Sequence, residues 1–148
     1  MYSKVYSAAI LGTEGRLITV EADLSDGLPS FDMVGALSRE VKEAAARVRT
    51  ALKNAGFRLP PKRVIINLAP ADVKKDGTLF DLPVAAAVLA AMGIVPKENL
   101  KGVLIAGELG LGGEVRPVPG VMVLAACAAQ AGLSRILVPR QNAPEGAV

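Results

Sequence analysis

Residues 38–68 read SREVKEAAARVRTALKNAGFRLPPKRVIINL. Two periodicities meet in this run. Val41, Ala44, Ala45, Val48, Leu52 and Ala55 recur at helical spacing, which predicts one amphipathic helix. Ser38 is a plausible N-cap ahead of it, because a short hydroxyl side chain can accept from an orphan amide of the first turn. Gly56 marks the stop. Pro60-Pro61 then breaks the chain. Val64, Ile65, Ile66 and Leu68 follow as a compact apolar run, long enough for a strand and too short for a helix. A helix leading directly into a strand predicts an α/β layer.

Working outward, residues 5–11 and 16–23 alternate and flank Gly12-Thr13-Glu14-Gly15, which predicts a hairpin. Ser25-Asp26-Gly27 is a second turn, and Ser30 to Val34 a third short strand. On the other side, 69–79 reads as a loop rich in Pro, Asp, Lys and Gly. Residues 82–92 form a helix apolar on nearly every side, hence buried, with Pro83 tolerable in its first turn. A strand at 103–106, a glycine-dense turn at 107–113, a second buried helix at 121–131 and a last strand at 136–139 complete the chain. The order predicts a two-layer α/β (α+β) domain whose sheet is at first mainly antiparallel. The domain is expected over 1–139. Residues 140–148 read as a linker or the cut end of a connection to a further domain.

Composition excludes several chemistries. The chain has 148 residues, 51% of them hydrophobic, with 3% aromatic and no Trp, so the core must be aliphatic. Few aromatics argue against single-strand binding by base stacking. The absence of His removes the commonest general base and zinc ligand together. A lone Cys127 in Ala-Ala-Cys-Ala-Ala forms no internal disulfide and reads as helix filler. The N-terminus lacks a signal-peptide core. The longest uncharged run, 117–134, is Ala-rich and interrupted by Pro119, Gly120 and Gly132, too weak for a membrane span. A cytoplasmic location and no membrane partner are expected.

The charge is uneven. Between Arg39 and Lys75 there are ten Lys/Arg against three acids, a segment of +7 inside a chain of net +3. Such a segment suggests an anionic partner; the alternative is a solvated helix face. Lys42, Arg49, Lys53, Lys62, Arg63, Lys74 and Lys75 are the candidate DNA contacts, each to a phosphate and without sequence choice. Gly107, Gly110, Gly112 and Gly113 fail as a phosphate loop, because Glu114-Val115 stand where Lys and Ser/Thr are needed; a tight turn is expected. Asp72, Asp76 and Asp81 could in principle gather on an ion, but Asp81 reads as an N-cap and Asp76-Gly77 as a turn. No metal site and no catalytic residue are expected.

Four motifs in order carry a resemblance: residues 28–35 (LPSFDMVG), 41–52 (VKEA through RVRTAL), 61–72 (PKRVIINLAPAD) and 75–85 (KDG through FDLPVA). Together they resemble the N-terminal region of the ComM/YifB family, labelled magnesium-chelatase-like or competence-associated. The resemblance runs from the first residues to about Pro139. It implies a longer parent with an AAA+ ATPase module that carries the P-loop. ATP and magnesium would belong to that module and not to this chain. It also implies a homo-oligomeric ring, expected as a hexamer with its own AAA+ domain, acting on DNA in branch migration during natural transformation.

The same region is similar to the proteolytic domain of Lon, a variant of the ribosomal protein S5 domain 2-like fold, and to the C-terminal domain of the recombination factor RadA. Lon proteases place their nucleophilic Ser in Pro-Lys-Asp-Gly-Pro-Ser-Ala-Gly and their Lys base at the end of Gly-x-Val-x-Pro-Ile-Gly-Gly-x-Lys. Here Leu79 falls at the Ser and Met122 at the Lys. Neither supplies a nucleophile or a base. Thr78 with Lys74 or Lys75 is the remaining hydrolase reading, one position out of register. The resemblance implies a non-catalytic accessory domain that serves assembly, and together with the +7 segment it leads to the expectation of a sequence-independent DNA contact. The competing reading is a purely structural oligomerisation or protein-partner module.

Overall fold

A computed structural model describes residues 1–146. Strands β1 (Tyr2–Leu11) and β2 (Glu14–Ser25) form the expected hairpin, longer at both ends than the alternation suggested. β3 (Ser30–Val34), the short helix α1 (Arg39–Lys42), α2 (Ala44–Asn54) and β4 (Arg63–Ala69) follow. Then come α3 (Asp81–Ala91), a 3-10 turn (Lys97–Leu100), β5 (Val103–Ile105), a two-stranded ribbon of β6 (Glu108–Leu109) and β7 (Val115–Arg116), α4 (Val121–Gln130) and β8 (Arg135–Leu137). The main sheet has the order β3-β4-β2-β1-β5-β8. It is mixed. β1–β2 and β2–β4 are antiparallel, whereas β3–β4, β1–β5 and β5–β8 are parallel. Each parallel neighbour in chain order is reached through a helix, as a crossover requires.

The sheet has two unequal faces. On one lie Val5, Val20, Ala22, Val64, Ile66 and Leu68, all buried. This face meets α3, where Ser3 donates its hydroxyl to the Ala87 carbonyl. Ile10 and Gly15 are cross-strand partners on the opposite face, and there α4 packs. A Cβ on Gly15 would stand 2.8 Å from the Cβ of Cys127. The bare glycine thus lets α4 approach the hairpin, and Cys127 is buried in that seam. Gly15→Ala is expected to lower stability by about 1–3 kcal/mol, the usual penalty of overpacking. Urea denaturation measures it, and an unchanged midpoint would mean α4 can back away freely.

Local signals explain the helix ends. The Ser38 hydroxyl accepts from the Val41 amide at 3.3 Å, as expected of an N-cap. α2 ends in a Schellman motif: Phe57 N–H reaches the Leu52 carbonyl and Gly56 N–H the Lys53 carbonyl, with Gly56 at φ +94°. That conformation favours glycine. The same pair of bonds closes α3 at Gly93 and α4 at Gly132. The helix read as continuous from Ser38 is interrupted at Glu43, whose backbone stays near-helical at φ −67°, ψ −17°.

Two expectations change at the ends of elements. Asp81 is not the cap of α3. Phe80 takes that position, and the Asp81 side chain is turned inward and buried. The folded body also runs past Pro139. Arg140–Asn142 form a 3-10 turn and Ala143–Gly146 a short helix. Buried Asn142 accepts from the Val118 amide at 2.9 Å and donates to the Val118 carbonyl at 3.0 Å. Of the stretch read as a linker, residues 147–148 lie outside the described residues. No helix among the described residues is long and apolar enough to cross a membrane.

Candidate nucleic-acid interface

The seven candidate cations do not form one surface. Lys42, Arg49 and Lys53 are exposed along α1 and α2. Lys42 stands two turns before Arg49, so on a nearly continuous helix they share a stripe. Arg49 and Lys53 line an open groove of about 680 Å³ together with Arg58, Thr50, Phe57 and Leu59. The Schellman turn at Gly56 creates it by folding the chain back over the end of α2, so that Phe57 and Arg58 oppose the helix. Arg58 belongs to the basic segment but is not among the seven candidate cations. Its position beside Arg49 and Lys53 depends on that reversal, for which Gly56 is the only sequence signal.

The other four separate. Lys62 is paired with the exposed Asp26 at 2.7 Å, and the lysine holds that carboxyl below its ordinary range. Arg63 is exposed, but cross-strand pairing puts it on the sheet face with Glu21 and Asn67, opposite the face covered by α3. Lys74 is exposed on the central loop. Lys75 is fully buried, and its ammonium donates to the Pro70 carbonyl. A short parallel bridge explains its burial: Lys75 N–H donates to the Ala36 carbonyl and the Ser38 N–H to the Lys75 carbonyl, pinning the loop to the start of α1. Burial pushes its pKa down. Lys75 therefore cannot serve as a phosphate contact, and that expectation is corrected. Lys75→Met is expected to keep the fold and leave any DNA affinity unchanged within about twofold, since a phosphate never meets the buried amine. Binding anisotropy beside a melting curve decides it; a large loss of affinity with an unaltered melt would contradict the burial.

Arg47, which lies within the basic segment between Arg39 and Lys75, has a different task. Its Nε and Nη2 donate to Asp81 at 2.8 and 3.0 Å, and Nη2 also reaches the Glu40 carbonyl at 2.8 Å. The Asp81 carboxylate accepts in addition the Leu109 amide at 3.1 Å. One buried acid thus ties α2, α3 and the β6–β7 ribbon together. Burial pushes the Asp81 carboxyl up, while Arg47 and the Leu109 amide pull it down. The bond to Asp81 raises the Arg47 pKa further.

The other motifs take simple places. The glycine-dense segment is the turn of the β6–β7 ribbon, closed by Gly110 N–H to the Glu114 carbonyl at 2.9 Å. Asp76 accepts from the Gly77 amide at 2.8 Å, the turn its sequence suggested. Asp72 and Asp76 are exposed while Asp81 is buried on Arg47. Among the described residues, no three His, Cys, Asp or Glu gather where they could hold a metal ion. At the positions of the Lon dyad, Leu79 is buried and Met122 is 57% exposed. Lys75, offered as a base for Thr78, is occupied by Pro70.

The sequence profile of the family described as Subunit ChlI of Mg-chelatase matches residues 20–142. The chain is 44% identical over 144 residues to Competence protein ComM of Haemophilus influenzae, covering 97% of this chain and 28% of that protein. It is 45% identical over 141 residues to the protein YifB of Salmonella typhimurium, covering 95% of this chain and 28% of that one. A weaker similarity, 28% identity over 144 residues, links it to the Lon protease of Mycolicibacterium smegmatis, of which the match covers 18%. The chain thus spans little more than a quarter of the length of these ComM and YifB relatives. It belongs to the family of the magnesium-chelatase subunit ChlI, within which it is similar to ComM and YifB.

Proposed function

We propose that this chain is a non-catalytic accessory domain of a ring-forming AAA+ ATPase that acts on DNA, and that its α1–α2 face contacts phosphates without reading sequence. The observation that carries the reading is the groove where Arg49, Lys53 and Arg58 converge. Among the described residues no carboxylate pairs with any of the three. Unpaired cations crowded at one site repel each other, and an anion relieves that repulsion. A guanidinium fork suits phosphate oxygens, and a lysine adds a point charge. In this reading the cations meet phosphate oxygens, which position the domain on the backbone without selecting sequence.

The motor chemistry is assigned to the part of the parent outside this chain. ATP and magnesium would bind there, and the homo-oligomer, a hexamer in this reading, would be driven from there in the cytoplasm. The relative's name, Competence protein ComM, supports a role in handling DNA during transformation, with branch migration as the proposed act. The non-catalytic assignment rests on Leu79 and Met122, which offer neither nucleophile nor amine.

Anisotropy of labelled single-stranded, duplex and forked DNA across a salt series tests the proposal. Affinity that falls linearly in log salt is expected. A folded chain that binds none of the three at low salt would sink the DNA contact and leave assembly as the better account.

A further inference from the structure

The chain has two tyrosines, and both stand at one hollow. β5 joins β1 only through Tyr6 and Leu104. No strand flanks residues 2–4 on that side, and the space is bordered by the 97–102 segment instead. It measures about 490 Å³, within the 300–1,000 Å³ usual for small-ligand pockets. Tyr2, Tyr6, Leu100 and Leu133 give it an aromatic and aliphatic wall. Lys4, Lys97 and Lys101 stand around it, all exposed, and no acidic residue lines it. Lys4 lies 5.8 Å from the centre of the Tyr6 ring. Glu21, cross-strand from Lys4, is engaged by the Tyr2 hydroxyl at 2.6 Å and the Asn67 amide at 2.9 Å. The Tyr2 ring is thereby held in place, and the three lysines have no ion-pair partner among the described residues.

Glu21 partly answers Lys4, but Lys97 and Lys101 are unpaired among the described residues, and two unpaired ammoniums beside an aromatic wall suit a ligand with a planar apolar body and a negative end. We propose that this hollow binds a nucleoside phosphate, with the base against the tyrosine rings and the phosphate on Lys97 and Lys101. Every base has a π-face, so stacking on tyrosine is tolerant of base identity. Lysine ammoniums bind phosphate as mobile point charges. The hollow shares no lining residue with the Arg49–Lys53–Arg58 groove, so the two sites stand or fall separately. The same chemistry is presented by a free nucleotide and by one unit of a single strand.

Titration of the ¹⁵N-labelled chain with AMP, with inorganic phosphate and with an eight-residue oligothymidylate tests this by amide shifts. Saturable shifts at residues 2–6 and 97–102 are expected with AMP, and phosphate alone should bind about tenfold more weakly, the loss of one stacking contact. If the oligothymidylate moves the same amides at lower concentration than AMP, the ligand is a strand; the reverse order means a free nucleotide. The Lys97→Ser/Lys101→Ser variant should weaken either ligand about tenfold, and so should Tyr6→Leu, which keeps the wall apolar. The lysines are on the surface, so their variant reports binding even if Tyr6→Leu fails to fold. Equal affinity for phosphate and AMP, shifts confined to the other groove, or no shifts at all would overturn the proposal.

Discussion

Arg47→Ala is expected to destabilise the fold by about 3 kcal/mol, because it strands a buried carboxylate. Asp81 is fully buried, and its charge is answered by the Arg47 fork and one backbone amide. Without Arg47 the amide alone remains. In a chain of this size, the loss corresponds to a fall in Tm of about 6–12 °C. Arg47→Lys should recover only part of it, since a point charge cannot reproduce two parallel bonds. The pH dependence separates this account from lost packing. Burial already pushes the Asp81 carboxyl up, and removing Arg47 raises it further. A carboxyl with a folded pKa above its unfolded value of about 3.9 favours the folded state at low pH, and that advantage is lost as pH rises through the folded pKa. The deficit of Arg47→Ala relative to the parent should therefore be smaller near pH 4 than at pH 7. A deficit that does not change with pH would point to packing alone.

Charge reversal of the α1–α2 stripe is expected to abolish most DNA binding. With Lys42, Arg49 and Lys53 each on one phosphate, the slope of log affinity against log salt is about −2.7 for duplex, a loss of roughly 40-fold between 50 and 200 mM. Lys42→Glu/Arg49→Glu/Lys53→Glu turns three attractions into repulsions and should lower low-salt affinity on the order of 100-fold, with a much shallower slope. All three side chains are exposed, and none is in an ion pair among the described residues, so circular dichroism and Tm should hardly move. Lys62→Glu is the comparator. Its partner Asp26 already neutralises it, and its reversal should cost far less. If the triple variant instead changes the oligomer size of a full-length relative and leaves DNA affinity intact, the stripe is a subunit contact.

Elements whose signals are local were legible in the chain itself. The Ser38 cap, the stop at Gly56, the β1–β2 hairpin and the apolar helices all depend on neighbours within a few residues, and periodicity reports them directly. The four ordered motifs were also enough to point to the family. The fate of individual charges was not legible, because it depends on partners far along the chain. Asp81 before Leu82-Pro83 has the local signature of a cap, yet Arg47, 34 residues away, draws it into the interior. Lys74 and Lys75 are neighbours of identical character; a bridge to Ala36 and Ser38 buries one and leaves the other in water. The tyrosine hollow lies where the short β5 pairs with β1 at only one register position, Tyr6 with Leu104, a fact of strand packing that composition cannot express. Backbone periodicity is written in adjacent residues, whereas desolvation and ion pairing are settled only when distant segments close around a group.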